Sequence, residues 1–342
     1  MEIEEQEFLI RPRSDITRHD WNTYVDGHPS AWFWHRTEWL DYCVAYSNRA
    51  VDKSFGVFSL ETDNLVGICP AIRIDDRVTM GDDPCIGPLV DDVTVLDVLM
   101  LSIRQRLCGL NIGWRWDRHI ENDAVINRLR EEFGLYKSSF TTSRVMLSSS
   151  EQERWRRLRK SYRGLIRQAE RELSIETGVS LWGGYKECHQ HCATRPRPPE
   201  TYDHQLEWLR NDSARVYGAS VTRGDGESDD EVSVVVTSTS SDERPVDGSS
   251  PSLSTILAAT FVVCYKRRAY YASGPSIQRG LQHALQWRVM NDLSRDGFES
   301  YELGWCDVSG KDNPGNGNGI SFFKRGFGGD EFKVDIVHGK VF

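Results

Sequence analysis

Along the chain the spacing of apolar residues changes period several times, and each change marks an element. From residue 21 to 46 the text reads as helical and aromatic-rich, with Trp32, Phe33, Trp34 and Trp39 close together. His28-Pro29-Ser30 breaks it, and Ser30 or Thr37 stands where a cap for the following helix belongs. Residues 53–60 and 65–74 predict two strands around the turn Glu61-Thr62-Asp63-Asn64. Helical spacing returns over 91–107 through Val95, Leu96, Leu99, Ile103 and Leu107. A short strand at 111–116 and a helix at 124–133 follow. Helices mixed with strands in this order predict an α/β (α+β) unit ending near Ser150.

Ser148-Ser149-Ser150 followed by Glu151 and Glu153 predicts a helix start, because hydroxyls accept the first unpaired N–H groups and acids face the positive end of the dipole. Trp155, Leu158, Tyr162, Leu165, Ile166, Ala169 and Leu173 then form one apolar stripe. The basic residues of the same segment fall mostly off it. Strands are predicted at 174–179 and 215–221, with helices at 184–193 and 201–210. Arg195-Pro196-Arg197-Pro198-Pro199 must be extended or turning. Further on, 258–265 and 268–272 form a hairpin, 281–293 a helix and 300–304 a strand. Residues 224–251 are different: eight acids between Asp225 and Asp247, with many serines, cannot bury enough surface to offset ordering entropy. A disordered surface insertion is expected there, with Val234-Val235-Val236 as its one candidate for an edge strand.

Bulk properties narrow the picture. A chain of 342 residues suits two domains better than one, and its eleven tryptophans need packed surface. The expected division is 1–148 and 149–342. The acidic opening, Met1-Glu2-Ile3-Glu4-Glu5, is unlike a secretory leader, and the apolar run at 255–265 is too short to span a bilayer, so a cytoplasmic protein without a transmembrane segment is expected. Eight cysteines scattered through apolar stretches suit reduced, buried thiols. A net charge of −9 argues against indiscriminate nucleic-acid binding, and no DNA partner is expected. From Arg154 to Arg171, however, eight basic residues face one acid, which suits a local phosphate site as well as a solvated helix face. Cys188-His189-Gln190-His191-Cys192 invites a zinc reading, but no second ligand cluster accompanies it and neighbouring side chains on a helix diverge. No metal is expected.

Four segments, taken in order, carry a resemblance. They are Tyr162-Arg163-x-x-Ile166-Arg167-x-Ala169-Glu170 on the basic helix, Ala269-Tyr270-Tyr271-x-x-Gly274 on the hairpin, Tyr301-Glu302-Leu303-Gly304 on the following strand, and Gly319-Ile320-Ser321-Phe322-Phe323-Lys324-Arg325-Gly326-Phe327-Gly328. With His28-Pro29-Ser30-x-Trp32-Phe33 and Glu38-Trp39-Leu40 near the start, the chain resembles the FemAB-type peptidyl and acyl transferases over nearly its whole length. The resemblance implies tandem GCN5-related N-acyltransferase-like domains, each a mixed sheet flanked by helices. It also implies transfer of an aminoacyl or acyl group from an activated donor to an amine of a cell-envelope peptide or glycan precursor. The donor would be aminoacyl-tRNA or acyl-CoA as co-substrate, with no tightly bound cofactor. A non-catalytic descendant that binds tRNA or a glycan is the alternative.

Carried over residue by residue, the family pattern places Phe323 and Lys324 where donor and reacting carbonyl meet. Attack on an ester carbonyl develops negative charge on oxygen, and Lys324 is a fixed cation suited to it. Gly326, Gly328 and Gly329 would let backbone approach a ligand closely. If the family roles do not apply, Phe323 and Phe327 are core anchors and Lys324 is solvated. The attacking amine must lose a proton, and Glu302 or Asp307 is the candidate base; Glu302 departs from the aspartate often found at this place. Arg163 and Arg167, one helical turn apart, with Phe323 and Arg325, are the expected donor-binding residues, and Tyr271 and Trp39 the acceptor-binding ones. The Gly-x-Gly turn of simple coenzyme A sites is not evident, Gln278-Arg279-Gly280-Leu281 being a weak substitute. Members acting on nucleotide-linked precursors present basic residues after the first-domain tryptophan, whereas here Trp39 is followed by Leu40, Asp41, Tyr42 and Cys43.

Overall fold

Ser150 caps the helix that begins the second half of the chain, its hydroxyl accepting from the Glu153 amide at 3.2 Å as the serine-acid pattern predicts. The computed structural model describes residues 7–80, 83–117, 123–193, 197–221, 256–278, 280–306 and 318–342. The acidic insertion at 224–251, with Val234-Val235-Val236, lies outside these residues, as do Asp307, Arg195, Pro196 and Arg279. In chain order the elements are β1 (Phe8–Pro12), α1 (Arg18–Gly27), α2 (Thr37–Ala45), β2 (Ala50–Asp52), β3 (Phe55–Ser59), β4 (Leu65–Cys69), β5 (Ile72–Ile74), β6 (Arg77–Met80), β7 (Asp83–Ile86), β8 (Leu89–Val90), α3 (Thr94–Leu107), β9 (Asn111–Asp117), α4 (Asp123–Phe133) and β10 (Tyr136–Met146). The second half continues with α5 (Glu151–Arg157), α6 (Lys160–Glu172), β11 (Leu173–Thr177), α7 (Trp182–Cys192), α8 (Pro199–Arg210), β12 (Ala214–Val221), β13 (Ile256–Tyr265), β14 (Arg268–Ser273), α9 (Leu281–Arg295), β15 (Ser300–Cys306), α10 (Asn318–Arg325) and β16 (Asp330–Lys340). No helix among the described residues is long and apolar enough to cross a membrane.

The fold is mixed α/β. Twelve strands form one sheet in the order β11-β12-β13-β14-β15-β10-β16-β9-β7-β6-β5-β2, and β1-β3-β4-β8 form a second. Two strands join the halves. β10 pairs with β15 on one side and β16 on the other, and β16 in turn pairs with β9 from Val334↔Asp117 to Lys340↔Asn111. The sequence reading leaves both β10 and β16 out. The inner end of β10 buries Thr141, Thr142, Ser143 and Arg144, so it lacks the apolar alternation that marks a strand.

Three cores lie against these sheets. One is shared by the halves, packing Trp21, Phe33, Trp34 and Leu40 against Tyr185, Trp208 and Phe261. Another holds α3 and α4 on the first half through Leu99, Ile103 and Leu129 around Trp114. The third seats α6, α9 and the end of α10 through Tyr162, Ile166, Leu285, Met290 and Phe327. Each fully buried ring of this kind contributes about 2–3 kcal/mol.

The apolar stripe over 155–173 predicts one helix, and the structure divides it in two. Leu158 and Arg159 are extended, and the Arg159 amide donates to the Gly326 carbonyl at 2.8 Å instead of continuing the helix. This contact also settles what the glycines after α10 do. A Cβ at Gly326 would stand 2.1 Å from the Tyr162 ring, and one at Gly328 would stand 2.5 Å from the Arg157 Cβ. The close approaches expected for a ligand are filled by the chain's own α5–α6 junction.

Gly328 also has a φ of +72°, whereas Gly109 has a φ of +82° with nothing within 4 Å of its missing Cβ. Gly328→Ala is therefore expected to lose about 2–5 kcal/mol from strain and overpacking together, against about 1 kcal/mol for Gly109→Ala. Urea denaturation of the two variants measures the difference; equal losses would show that Gly328 is not closely packed.

Candidate active site at the fork of the sheet

β14 and β15 run parallel and pair at Arg268↔Ser300, Ala269↔Tyr301 and Tyr270↔Glu302. Pairing stops there although both strands continue. β14 stays with β13, where Phe261 faces Ser273, and β15 stays with β10, where Thr142 faces Trp305. The two strands therefore diverge beyond Tyr270 and Glu302. On β15 the register against β10 shifts, leaving Leu303 as the extra residue before Gly304, which has a φ of +79°. A side chain at Gly304 would lie 2.8 Å from the Tyr270 hydroxyl and 3.4 Å from Lys324 Nζ, so these two polar ends share the space over it.

A cavity of about 460 Å³ opens at this fork. Its floor is the sheet itself: Phe140 and Thr142 from β10, Val334 and Ile336 from β16, Arg115 from β9 and Ile86 from β7. Strand register puts Ile336 opposite Arg115, and Arg115 opposite Ile86, so these three form one row across three strands. Trp32, Trp34 and His35 make a wall, and Tyr270, Glu302, Trp305 and Lys324 are among the other residues that line the cavity. The wall is fixed by His35. The Trp32 amide donates to His35 Nδ1 at 3.0 Å and His35 Nε2 donates to the Gly87 carbonyl at 3.1 Å, which requires the neutral ring. Burial lowers the His35 pKa to about 3, against smaller raising effects from the Trp32 and Gly87 carbonyls beside its ring nitrogens.

The polar groups of the cavity are few and specific. Lys324, near the end of α10, donates from Nζ to the Trp305 carbonyl at 2.9 Å. Glu302 accepts from Arg144 Nη2 at 3.1 Å, and the Arg144 guanidinium lies 4.6 Å from the Phe332 ring centre. Both members of this pair are shielded, Arg144 with 6% and Glu302 with 15% of its side chain exposed, so an anion is held in the wall rather than at the surface. Thr142 Oγ1 is buried without a hydrogen-bond partner among the described residues.

Of the residues singled out from sequence, Lys324 and Glu302 meet in this cavity and the others lie elsewhere. Phe323 is half-buried, with His283 at 5.2 Å and Phe327 at 4.9 Å between ring centres. Arg325 pairs with Glu331 at 3.1 Å. Arg167 lies 5.3 Å from the Trp155 ring centre and lines a separate small pocket, and Arg163 has its Nε buried on α6. Tyr271 points away from Tyr270 into the core of the second half, where burial pushes its hydroxyl pKa up. Trp39 lines a neighbouring cavity and donates from Nε1 to Met80 Sδ at 2.8 Å. His189, from the Cys-His-x-His-Cys run, is hydrogen-bonded to the Tyr202 hydroxyl at 2.9 Å. Sequence reasoning missed Tyr270, Thr142, Arg144 and Arg115. Tyr270 was legible, since neighbours on a strand face opposite ways and it shares a register row with Glu302.

No protein-family model and no curated protein matches this sequence. Solved structures do match. FemX superposes with a TM-score of 0.65 at 12% identity, over 96% of this chain and 97% of that one. A tandem GNAT protein from the clavulanic acid biosynthesis pathway gives 0.50 at 10% identity, over 98% and 99%. The chain has the tandem GNAT fold. The C-terminal domain of a putative lysylphosphatidylglycerol synthetase from Agrobacterium fabrum is similar as well, with a TM-score of 0.55 at 14% identity over 94% of this chain and 90% of that domain. Within the tandem GNAT fold of this chain, the fork between β14 and β15 is the opening onto which the candidate site faces.

His35 stays neutral in the fold down to about pH 3, while an unfolded histidine takes up its proton near 6.5. Between those values the unfolded chain binds the extra proton, so stability falls as pH drops below about 6.5, by up to about 1.4 kcal/mol per pH unit for this group. His189, lowered by burial to about 4, adds in the same direction. Urea midpoints taken from pH 7.5 to 5 are expected to decline, with a shallower slope in His35→Gln; an unchanged slope in that variant would remove His35 as a cause.

Proposed function

We propose that the chain is an N-acyltransferase, forming an amide by passing an acyl or aminoacyl group from an activated ester or thioester to an amine held at the fork. The observation that carries this reading is the meeting of Lys324, Glu302 and the Tyr270 hydroxyl in one cavity. The amine arrives protonated, and the anion at Glu302 attracts it and takes its proton. The freed amine attacks the donor carbonyl, whose oxygen gains negative charge beside Lys324 Nζ and the Tyr270 hydroxyl. The intermediate then expels the donor's alcohol or thiol, which regains a proton as the amide forms. A sheet floor and an aromatic wall keep water from competing with the amine.

Donor and acceptor are read more coarsely. One similar structure is named for lysylphosphatidylglycerol synthesis and another, a tandem GNAT protein, is described as without AcCoA; the proposal takes in aminoacyl-tRNA and acyl-CoA alike. The polyanionic part of either donor would lie over α6 and α10, where Arg163, Arg167 and Arg325 stand and Phe323 is half-buried. An amine of a cell-envelope peptide or glycan is the proposed acceptor. The purely binding alternative has less support, because it leaves Lys324 and the shielded, Arg144-paired Glu302 in one cavity without a role.

Purified protein offered labelled acyl-CoA or charged tRNA with candidate amines is expected to release amide product. Lys324→Ala should lower kcat/KM by about 10²–10³-fold, the size of losing one oxyanion partner. Glu302→Gln should lose activity at neutral pH and regain part of it where the amine deprotonates unaided. The reading fails if neither donor is consumed, or if Lys324→Ala turns over like the parent.

A further inference from the structure

A second cavity, of about 620 Å³, abuts the first, and Trp34, Arg115 and Tyr270 line both. It lies between α2 of the first half and α8 of the second. Its wall is aromatic. Trp39 and Tyr42 stack at 5.1 Å with their planes 20° apart, and Trp208 stands 5.1 Å from Tyr42 and 5.8 Å from Trp39.

Its charges are of one sign. Arg49, Arg115 and Arg197 line it, and no carboxylate does so among the described residues. Arg49 is answered by Asp75 at 2.7 Å, on exposed side chains. Arg115 and Arg197 have no ion pair among the described residues. Arg197 and Gln205 each lie against the buried Tyr185 hydroxyl, yet three polar atoms of this lining are buried without a hydrogen-bond partner among the described residues: Arg197 Nη1, Trp208 Nε1 and Gln205 Oε1. Gln205 and Trp208 are only 2% and 1% exposed, so they border the cavity without standing in bulk solvent. A buried polar group left unmatched costs about 1–3 kcal/mol, and a ligand that meets it recovers that cost on binding.

The chemistry of the three atoms selects the ligand. Two are donors, Arg197 Nη1 and Trp208 Nε1, and suit the two oxygens of a carboxylate. The third, Gln205 Oε1, accepts from an N–H. Flat aromatic walls favour an aromatic body between them. The arginines exclude a cation, although aromatic walls alone would welcome one. Each cavity is in the size range of a small-molecule site.

We propose that the second cavity binds the carboxylate, ring and N–H of an aromatic residue at the carboxy-terminal end of a peptide, and that the peptide acceptor of the reaction is one that ends in such a residue. The ring and carboxylate of that residue lie in the second cavity, and the peptide's amine reaches Glu302 through the wall shared at Trp34, Arg115 and Tyr270. The placement of the amine rests on the acyl-transfer reading; the binding of the acid does not.

Calorimetry with the full-length protein tests the assignment using N-acetyl-L-phenylalanine, N-acetyl-L-phenylalaninamide and phenyl phosphate. The acid is expected to bind about tenfold or more tightly than the amide, whose ring and N–H are the same but whose charge is gone. Arg197→Gln should erase that preference, Trp208→Phe should weaken the acid while keeping the wall, and Lys324→Ala should leave binding unchanged. Equal binding of acid and amide by the parent protein, no binding of either, or tighter binding of phenyl phosphate would each overturn the proposal, whatever the variants do. Acid binding without any donor being consumed would sink the acyl-transfer reading and leave the cavity's assignment standing. Amide formation with no preference for the acid would do the reverse.

Discussion

The strand β16 sits between β9 and β10, and the site exists because of it. Its hydrogen bonds close the gap between the halves and make one sheet of what would otherwise be two edges. Val334 and Ile336 then fall on the face that forms the cavity floor, in register with Phe140 and Arg115. Strand side chains alternate strictly, so a slip of one residue in β16 would turn both away and bring their neighbours up. The floor is thus as precise as the ladder that holds it.

Above that floor, charge is placed by backbone irregularity. The extra residue at Leu303 and the left-handed Gly304 turn β15 outward, so that its carbonyl at Trp305 receives Lys324 while Glu302 keeps its contact with Arg144. A cation and an anion line one cavity, Lys324 bonded to the Trp305 carbonyl and Glu302 to Arg144. Such an arrangement suits a reaction that needs both a proton acceptor and a site for developing negative charge. The aromatic wall is equally fixed, since the neutral His35 ties the Trp32–Trp34 turn to Gly87.

The sequence showed its helices well, because α3, α4, α8 and α9 each carry an uninterrupted apolar stripe. It hid β10, whose buried positions are threonine, serine and arginine, and whose environment comes from two strands more than 150 residues downstream. It joined α5 to α6, because the stripe runs through the break and the cause, the Gly326 carbonyl, is distant in the chain. The same division holds at the site. Lys324 and Glu302 stand in segments with a recognisable pattern. Arg144 and Thr142 lie on the strand that pattern does not reveal, and strand parity puts Tyr270 at the cavity and its neighbour Tyr271 in the core.

The position of β16 also has a kinetic meaning. Lys340 pairs with Asn111 and His338 with Tyr136, so the central ladder joins residues separated by more than two hundred positions. The helices and the β12–β13–β14 meander can form from near neighbours, but the floor of the cavity cannot. While the chain is being made, β9 and β10 must wait with edges that invite wrong partners until the residues of β16 are available. Contact order alone thus sets the candidate site to assemble late, and damage to this one strand would remove its floor together with the buried Val337 that β16 gives to the core of the first half.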